Sequence, residues 1–125
     1  MLNVVAIRGC LSRPVEERVL PTTGDRVVGL DVTVRREGAG RADSVPVVWH
    51  DPPAAAPTFA AGDEVVVIGH VARRFFRAGG STQSRTEVVA HRVIPIRSAK
   101  KIEAALLEVT TEVTAALRPT MRARR

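Results

Sequence analysis

The sequence of 125 residues predicts an all-β domain, a small barrel of five antiparallel strands, followed by one C-terminal amphipathic helix. Three observations carry this. Up to about Pro95, short Val-rich runs alternate with polar residues and are punctuated by Gly, Pro and Asp, the pattern of strands with one buried face. No helical pattern long enough for a βαβ crossover separates these runs. After Pro95 the apolar spacing changes to the i, i+3, i+4, i+7 of a helix.

The five strands are predicted at "LNVVAIRGCLS", "VVGLDVTVR", "SVPVVWH", "DEVVVIGHVARRFF" and "RTEVVAHRVIPI". The second shows the logic: Val28, Leu30, Val32 and Val34 point one way, and Gly29, Asp31, Thr33 and Arg35 the other. Between the third and fourth strands, the prolines of "DPPAAAPTFAAGD" exclude a long helix. "APTFAA" is expected to make one or two helical turns, ended by Gly62, that plug one end of the barrel. "REGAGRADS" (36–44) and "RAGGSTQSR" (77–85) read as mobile loops, both flanked by arginine. In the fourth strand Val65, Val67, Gly69, Val71, Arg73 and Phe75 share one face, and Glu64, Val66, Ile68, His70, Ala72, Arg74 and Phe76 the other. The adjacent phenylalanines are therefore expected to do different jobs.

In "SAKKIEAALLEVTTEVTAALRP", Ile102, Ala105, Leu106, Val109, Val113, Ala116 and Leu117 form one apolar stripe on a helix of about five turns. Ser98 is placed to cap its start and Pro119 to stop its end. The stripe needs cover, from the barrel or from another subunit, which makes Ile102, Leu106, Val109 and Val113 the oligomerisation candidates. The expected organisation is a barrel domain over 1–96, the helix over 97–118 and a basic disordered tail over 119–125.

A net charge of +6 makes nucleic acid the leading partner class. The excess is uneven: residues 97–125 hold seven Lys or Arg against three Glu, residues 1–96 twelve against ten acidic residues. The body's case therefore rests on where its arginines sit. No apolar run approaches the roughly 18 residues of a membrane span, and no secretory signal is read at the N-terminus. A single cysteine, Cys10, agrees with a reducing cytoplasm. His50, His70 and His91 have no metal-site spacing. Asp63 and Glu64 would face opposite sides of a strand, which is wrong for a cooperating acid and base. Neither "GAG" nor "AGGS" leads from strand to helix as a phosphate loop must. No enzyme activity, metal or cofactor is expected.

A five-stranded Greek-key barrel with a short helix between its third and fourth strands and basic loops describes the OB-fold. Its exposed face and loops bind single-stranded nucleic acid through a cationic groove and stacking aromatics. The order "NVVAIRGCLSRPVEERVLPTTG", "VPVVWHDP", "FAAGDEVVVIGHVARRFF", "SRTEVVAHRV" resembles the bacterial single-stranded DNA-binding proteins over about residues 2–96. Asn3, Gly9, Leu11, Pro14, Glu16, Arg18 and Gly24 match that family's N-x-V-x-L-x-G-x-L opening and the stretch after it. Gly62, Asp63, Val65, Gly69 and Arg73, then Thr86, Glu87 and Val88, match its G-D-x-V-x-V-x-G and T-E-V strands.

The resemblance implies sequence-independent single-stranded DNA binding in replication, recombination or repair, by a nucleoid-associated cytoplasmic homo-oligomer, tetramer or dimer, with no membrane partner. It implies base stacking at Trp49 and Phe76, with Phe75 packing under the loop or on a neighbouring subunit unless the hairpin's twist exposes both. Arg35, Arg36, Arg73, Arg74, Arg77 and Arg85 would hold phosphates, and Phe59 would anchor the short helix in the core. Two further stacking positions of the family fall at about Glu37 and Asp43, and its acidic C-terminal tip is replaced by the helix and "RARR". Those departures leave an alternative: an OB-fold protein-interaction module with weak or no DNA binding. RNA is a further possible ligand.

Overall fold

The computed structural model describes residues 1–38, 40–54 and 56–118. Its period-two runs form six strands: β1 (Val5–Leu11), β2 (Glu16–Val19), β3 (Arg26–Arg35), β4 (Ala42–His50), β5 (Glu64–Ala78) and β6 (Ser81–Pro95). A single helix, α1 (Ala99–Leu117), follows. β1 pairs with both β5 and β3, β3 with β4, β4 with β6 and β6 with β5. This ring closes a five-stranded barrel with one C-terminal helix, consistent with an OB-fold. Every pairing is antiparallel except β4 with β6, where the chain crosses the barrel end through residues 51–63.

The sixth strand was not expected. β1 and β2 run in the same direction along β3, as one long strand interrupted at residues 12–15: Leu11 lies opposite Val32, and Glu16 opposite Gly29. All four β2 residues are exposed, so "EERV" has no apolar alternation to reveal it. Its function in the fold is to satisfy backbone groups along the edge of β3 that β1 leaves uncovered.

Leu11, Val28, Leu30, Val32, Val47, Trp49, Val65, Val67, Val88, Ala90 and Val93 fill the barrel. Two glycines let its strands close. A Cβ on Gly9 would run into the Thr33 carbonyl and the Val32 side chain, and one on Gly69 into the Val89 carbonyl. At Gly69 the ladder also slips: Ile68 faces Arg92 and Gly69 faces Ala90, so His91 is an extra residue on β6, a β-bulge. The bulge changes the parity of the strand. Val88 and Ala90 face inward before it, Val93 after it, and Ile94 then faces the helix.

The connection 51–63 contains no helix among its described residues, in contrast to the expected turns at "APTFAA". Pro52, Pro53 and Pro57 fix φ and remove N–H donors, and the described part of the segment is instead irregular, with local turns closed by Ala56 N–H on the Pro53 carbonyl at 2.9 Å and Asp63 N–H on the Ala60 carbonyl at 3.1 Å. Leu11 N–H donates to the Asp63 carbonyl at 2.9 Å, Gly62 N–H to the Leu11 carbonyl at 2.8 Å, and Ala60 N–H to the Asp63 carboxylate at 2.8 Å. Phe59 still reaches the core, with its ring 6.5 Å from that of Trp49.

The helix packs on its own barrel. Ile102, Ala105 and Val109 cover Val66, Ile68 and Ile94 on the outer face of β5 and β6, and Arg92 donates to Glu108 at 3.3 Å. Of the four residues expected at a subunit interface, Ile102 and Val109 are thus used within the chain. Val113 is half-buried, Leu106 is exposed, and so are Leu107 and Leu117. The Ser98 side chain makes no cap; its carbonyl accepts from Ile102 N–H at 3.1 Å. Pro119 and the basic tail lie outside the described residues.

Candidate nucleic-acid interface

Because β4 runs parallel to β6, the β3–β4 turn and the β5–β6 turn leave the barrel at the same end. β4 and β6 pair only over Val47–Trp49 and Val88–Ala90, so the two hairpins part before reaching their tips. The β5–β6 segment 77–85, expected as a mobile loop, is strand up to a two-residue turn. Gly79 and Gly80 take φ of 58° and 81°, the left-handed pair that a tight hairpin turn requires. From the Val71–Val88 pair to the Ala78–Ser81 pair this makes an arm about 24 Å long at strand rise. The β3–β4 connection is shorter than expected, since β4 already begins at Ala42.

The structure brings all six candidate arginines to this end, and all are exposed: Arg35 and Arg36 on the first hairpin, Arg73, Arg74, Arg77 and Arg85 on the arm. Their surroundings differ. Arg36 pairs with Asp43 at 3.2 Å, and Arg74 and Arg85 share Glu87. Arg77 donates to the Gly80 carbonyl at 3.1 Å. Arg35 and Arg73 have no acidic partner among the described residues.

The arm presents its two phenylalanines on opposite faces. Phe75, opposite Ser84, is 67% exposed and is not packed under a loop. Phe76, opposite Gln83, is half-buried, with the Arg74 guanidinium 5.1 Å from its ring centre, a cation-π contact.

Trp49 does not belong to this surface. It is 7% exposed inside the barrel, opposite Val28, beside Ala90 and against Phe59. Its indole is packed in the core because β4 turns Val47 and Trp49 inward together. Among the two positions where carboxylates replace expected aromatics, Asp43 is occupied by Arg36, and Glu37 is exposed.

A groove of about 370 Å³ runs along the outer face of β3 and β4 to the base of the arm. Val27, Gly29 and Val48 form its floor, Arg13 and Arg18 stand on one side, Arg74, Arg85 and Glu87 on the other. Its charge is balanced, since Glu16, Glu17, Asp31 and Glu87 line it with those four arginines, and Arg13 is held by Asp31 at 3.1 Å. Among the described residues, cations without an acidic partner occur both on the hairpins, at Arg35 and Arg73, and in the groove, at Arg18. Elsewhere on the barrel, Arg8 is engaged by Glu64, whose hydrogen bond and then charge hold the guanidinium above its ordinary pKa.

Glu87 is the site residue that sequence reasoning missed. It lines the groove, it is buried, and it sits between two arginines. The signal was present: a two-residue turn at Gly79–Gly80 pairs Ala78 with Ser81, hence Arg74 with Arg85 and Ala72 with Glu87 on one face. His70 and His91 meet at 2.7 Å beside the bulge, and no three His, Cys, Asp or Glu side chains among the described residues form a metal cluster. The chain thus has an OB-like barrel with an arginine-rich open end. It matches no family model and no curated protein.

Proposed function

We propose that this protein binds single-stranded DNA, independently of any defined sequence motif, at the end of the barrel where the two hairpins project. One observation carries the proposal: arginines without acidic partners, Arg35 and Arg73, share that end with Arg77 and the exposed ring of Phe75. An exposed aromatic among cations is what a stacking platform for a charged strand requires, and each stacked base contributes about 1–3 kcal/mol. Phe75 serves as the primary platform and Phe76, beneath Arg74, as a second. The resemblance of residues 2–96 to bacterial single-stranded DNA-binding proteins supports the same reading and adds a role in replication, recombination or repair.

The test is fluorescence anisotropy of a labelled oligo-dT across a salt series. With three arginines engaging phosphates, affinity should fall with a log-log slope of about −2, at roughly −0.7 per contact. Absence of binding at low salt would overturn the proposal. Trp49 is unsuitable as the reporter because it is buried. Competition with matched RNA separates an RNA ligand from DNA.

A second reading, an interaction module that self-associates or docks a protein, is favoured by exposed Leu106, Leu107 and Leu117 on α1 and by the charge balance of the groove. The Val5–Arg8 edge of β1 opposite β5 also has no strand partner among the described residues. If α1 mediates assembly, Leu107→Asp should reduce the mass measured by light scattering; an unchanged mass removes the helix from the interface.

A further inference from the structure

Among the described residues Glu87 is the one charged side chain that is buried, at 5% exposure, and its Oε1 has no hydrogen-bond partner. A carboxylate out of water is costly unless donors replace the lost hydration. Its nearest cations, Arg74 Nε at 3.6 Å and Arg85 Nε at 3.9 Å, attract it but stand beyond hydrogen-bond reach. Arg74 and Arg85 face each other across the arm, so Glu87 also relieves their mutual repulsion. Their side chains are 47% and 50% exposed and are free to turn outward to phosphates. When they do, Glu87 stays behind with its charge uncompensated, and the ligand itself must supply a donor. Next to it the groove floor is aliphatic, a half-buried Val48 beside a Gly29 without side chain, a shelf suited to the face of a base.

We infer that the Glu87 end of the groove is a subsite for nucleobases bearing an exocyclic amine. The amine donates to Glu87 Oε1 while Arg74 and Arg85 hold the neighbouring phosphates. Cytosine, adenine and guanine supply such a donor. Thymine does not: its carbonyl oxygens flank a single imide N–H and turn their lone pairs toward the carboxylate. This inference rests on the single-stranded DNA reading and deepens it, giving a binder that needs no sequence motif yet favours strands rich in amine-bearing bases.

The experiment compares dC15, dT15 and dU15 by anisotropy at one salt concentration and pH 8, where cytosine is neutral. The wild type should bind dC15 about tenfold tighter than dT15, the scale of one good side-chain-to-base contact, with dU15 behaving as dT15. Glu87→Gln, which accepts and donates alike, should bring the dC15 to dT15 ratio close to one, with dC15 weakening and dT15 gaining. Equal wild-type affinity for dC15 and dT15 overturns the subsite but leaves single-stranded DNA binding standing. Failure to bind any of the three overturns both. A dU15 affinity matching dC15 overturns it as well, since the thymine methyl group would then be what is rejected. If Glu87→Gln shifts all three oligomers equally, Glu87 only spaces its arginines and the subsite is likewise overturned. The wild-type comparison does not depend on any variant folding.

Discussion

Phe75 and Phe76 are neighbours in sequence and occupy opposite faces of the arm, so their exposure rather than their identity separates them. Phe75→Ala removes a ring that is 67% exposed and touches little of the core. It should weaken oligo-dT binding about tenfold, within the stacking range, and leave the melting temperature unchanged. A parallel fall in both would mean that the ring is structural. Residue-level legibility in the sequence was mixed. The exposed position of the arginines beside the two hairpin turns was legible because such clusters are visible in any sequence. Trp49 was placed on the surface by resemblance, although the alternation in "SVPVVWH" puts it on the same face as Val47, which the barrel buries. Glu87 was legible only as a motif match, because its burial depends on a cross-strand register that the turn at Gly79–Gly80 fixes.

At the scale of elements, five of the strands and the helix followed from period alone, since each has one apolar face. What did not follow were elements defined by backbone needs. β2 exists because β3 has an edge to cover, and the described residues of 51–63 form no helix because three prolines deny it donors. Closure likewise depends on absent side chains. Gly69→Ala would force a methyl into the Val89 carbonyl, and overpacking of this kind costs about 1–3 kcal/mol. The variant should therefore denature at a clearly lower urea concentration than the wild type. An unchanged midpoint would show that β5 and β6 can separate at the bulge without cost.

For the molecule as a whole, the division is between a barrel that holds itself together and an arm that stands clear of it. The helix's first half belongs to the barrel through Ile102, Ala105 and Val109, while Leu106, Leu107 and Leu117 stay exposed. The arm depends on the body only at its base, where His91 is inserted in β6 and hydrogen-bonds His70 at 2.7 Å.

That inserted residue makes the direction of the arm adjustable independently of the core. Removing His91 joins Ala90 to Arg92, which already face Gly69 and Ile68, so every residue keeps its side of the sheet while the extra local twist of the bulge is lost. The deletion should fold with its barrel intact and point its arginines elsewhere. Spin labels on the exposed Cys10 and on a Ser81→Cys variant at the arm tip would read this as a shifted distance distribution. The angle of the arm is thus set by one removable amino acid, a dial that selection or design can turn without repacking anything inside.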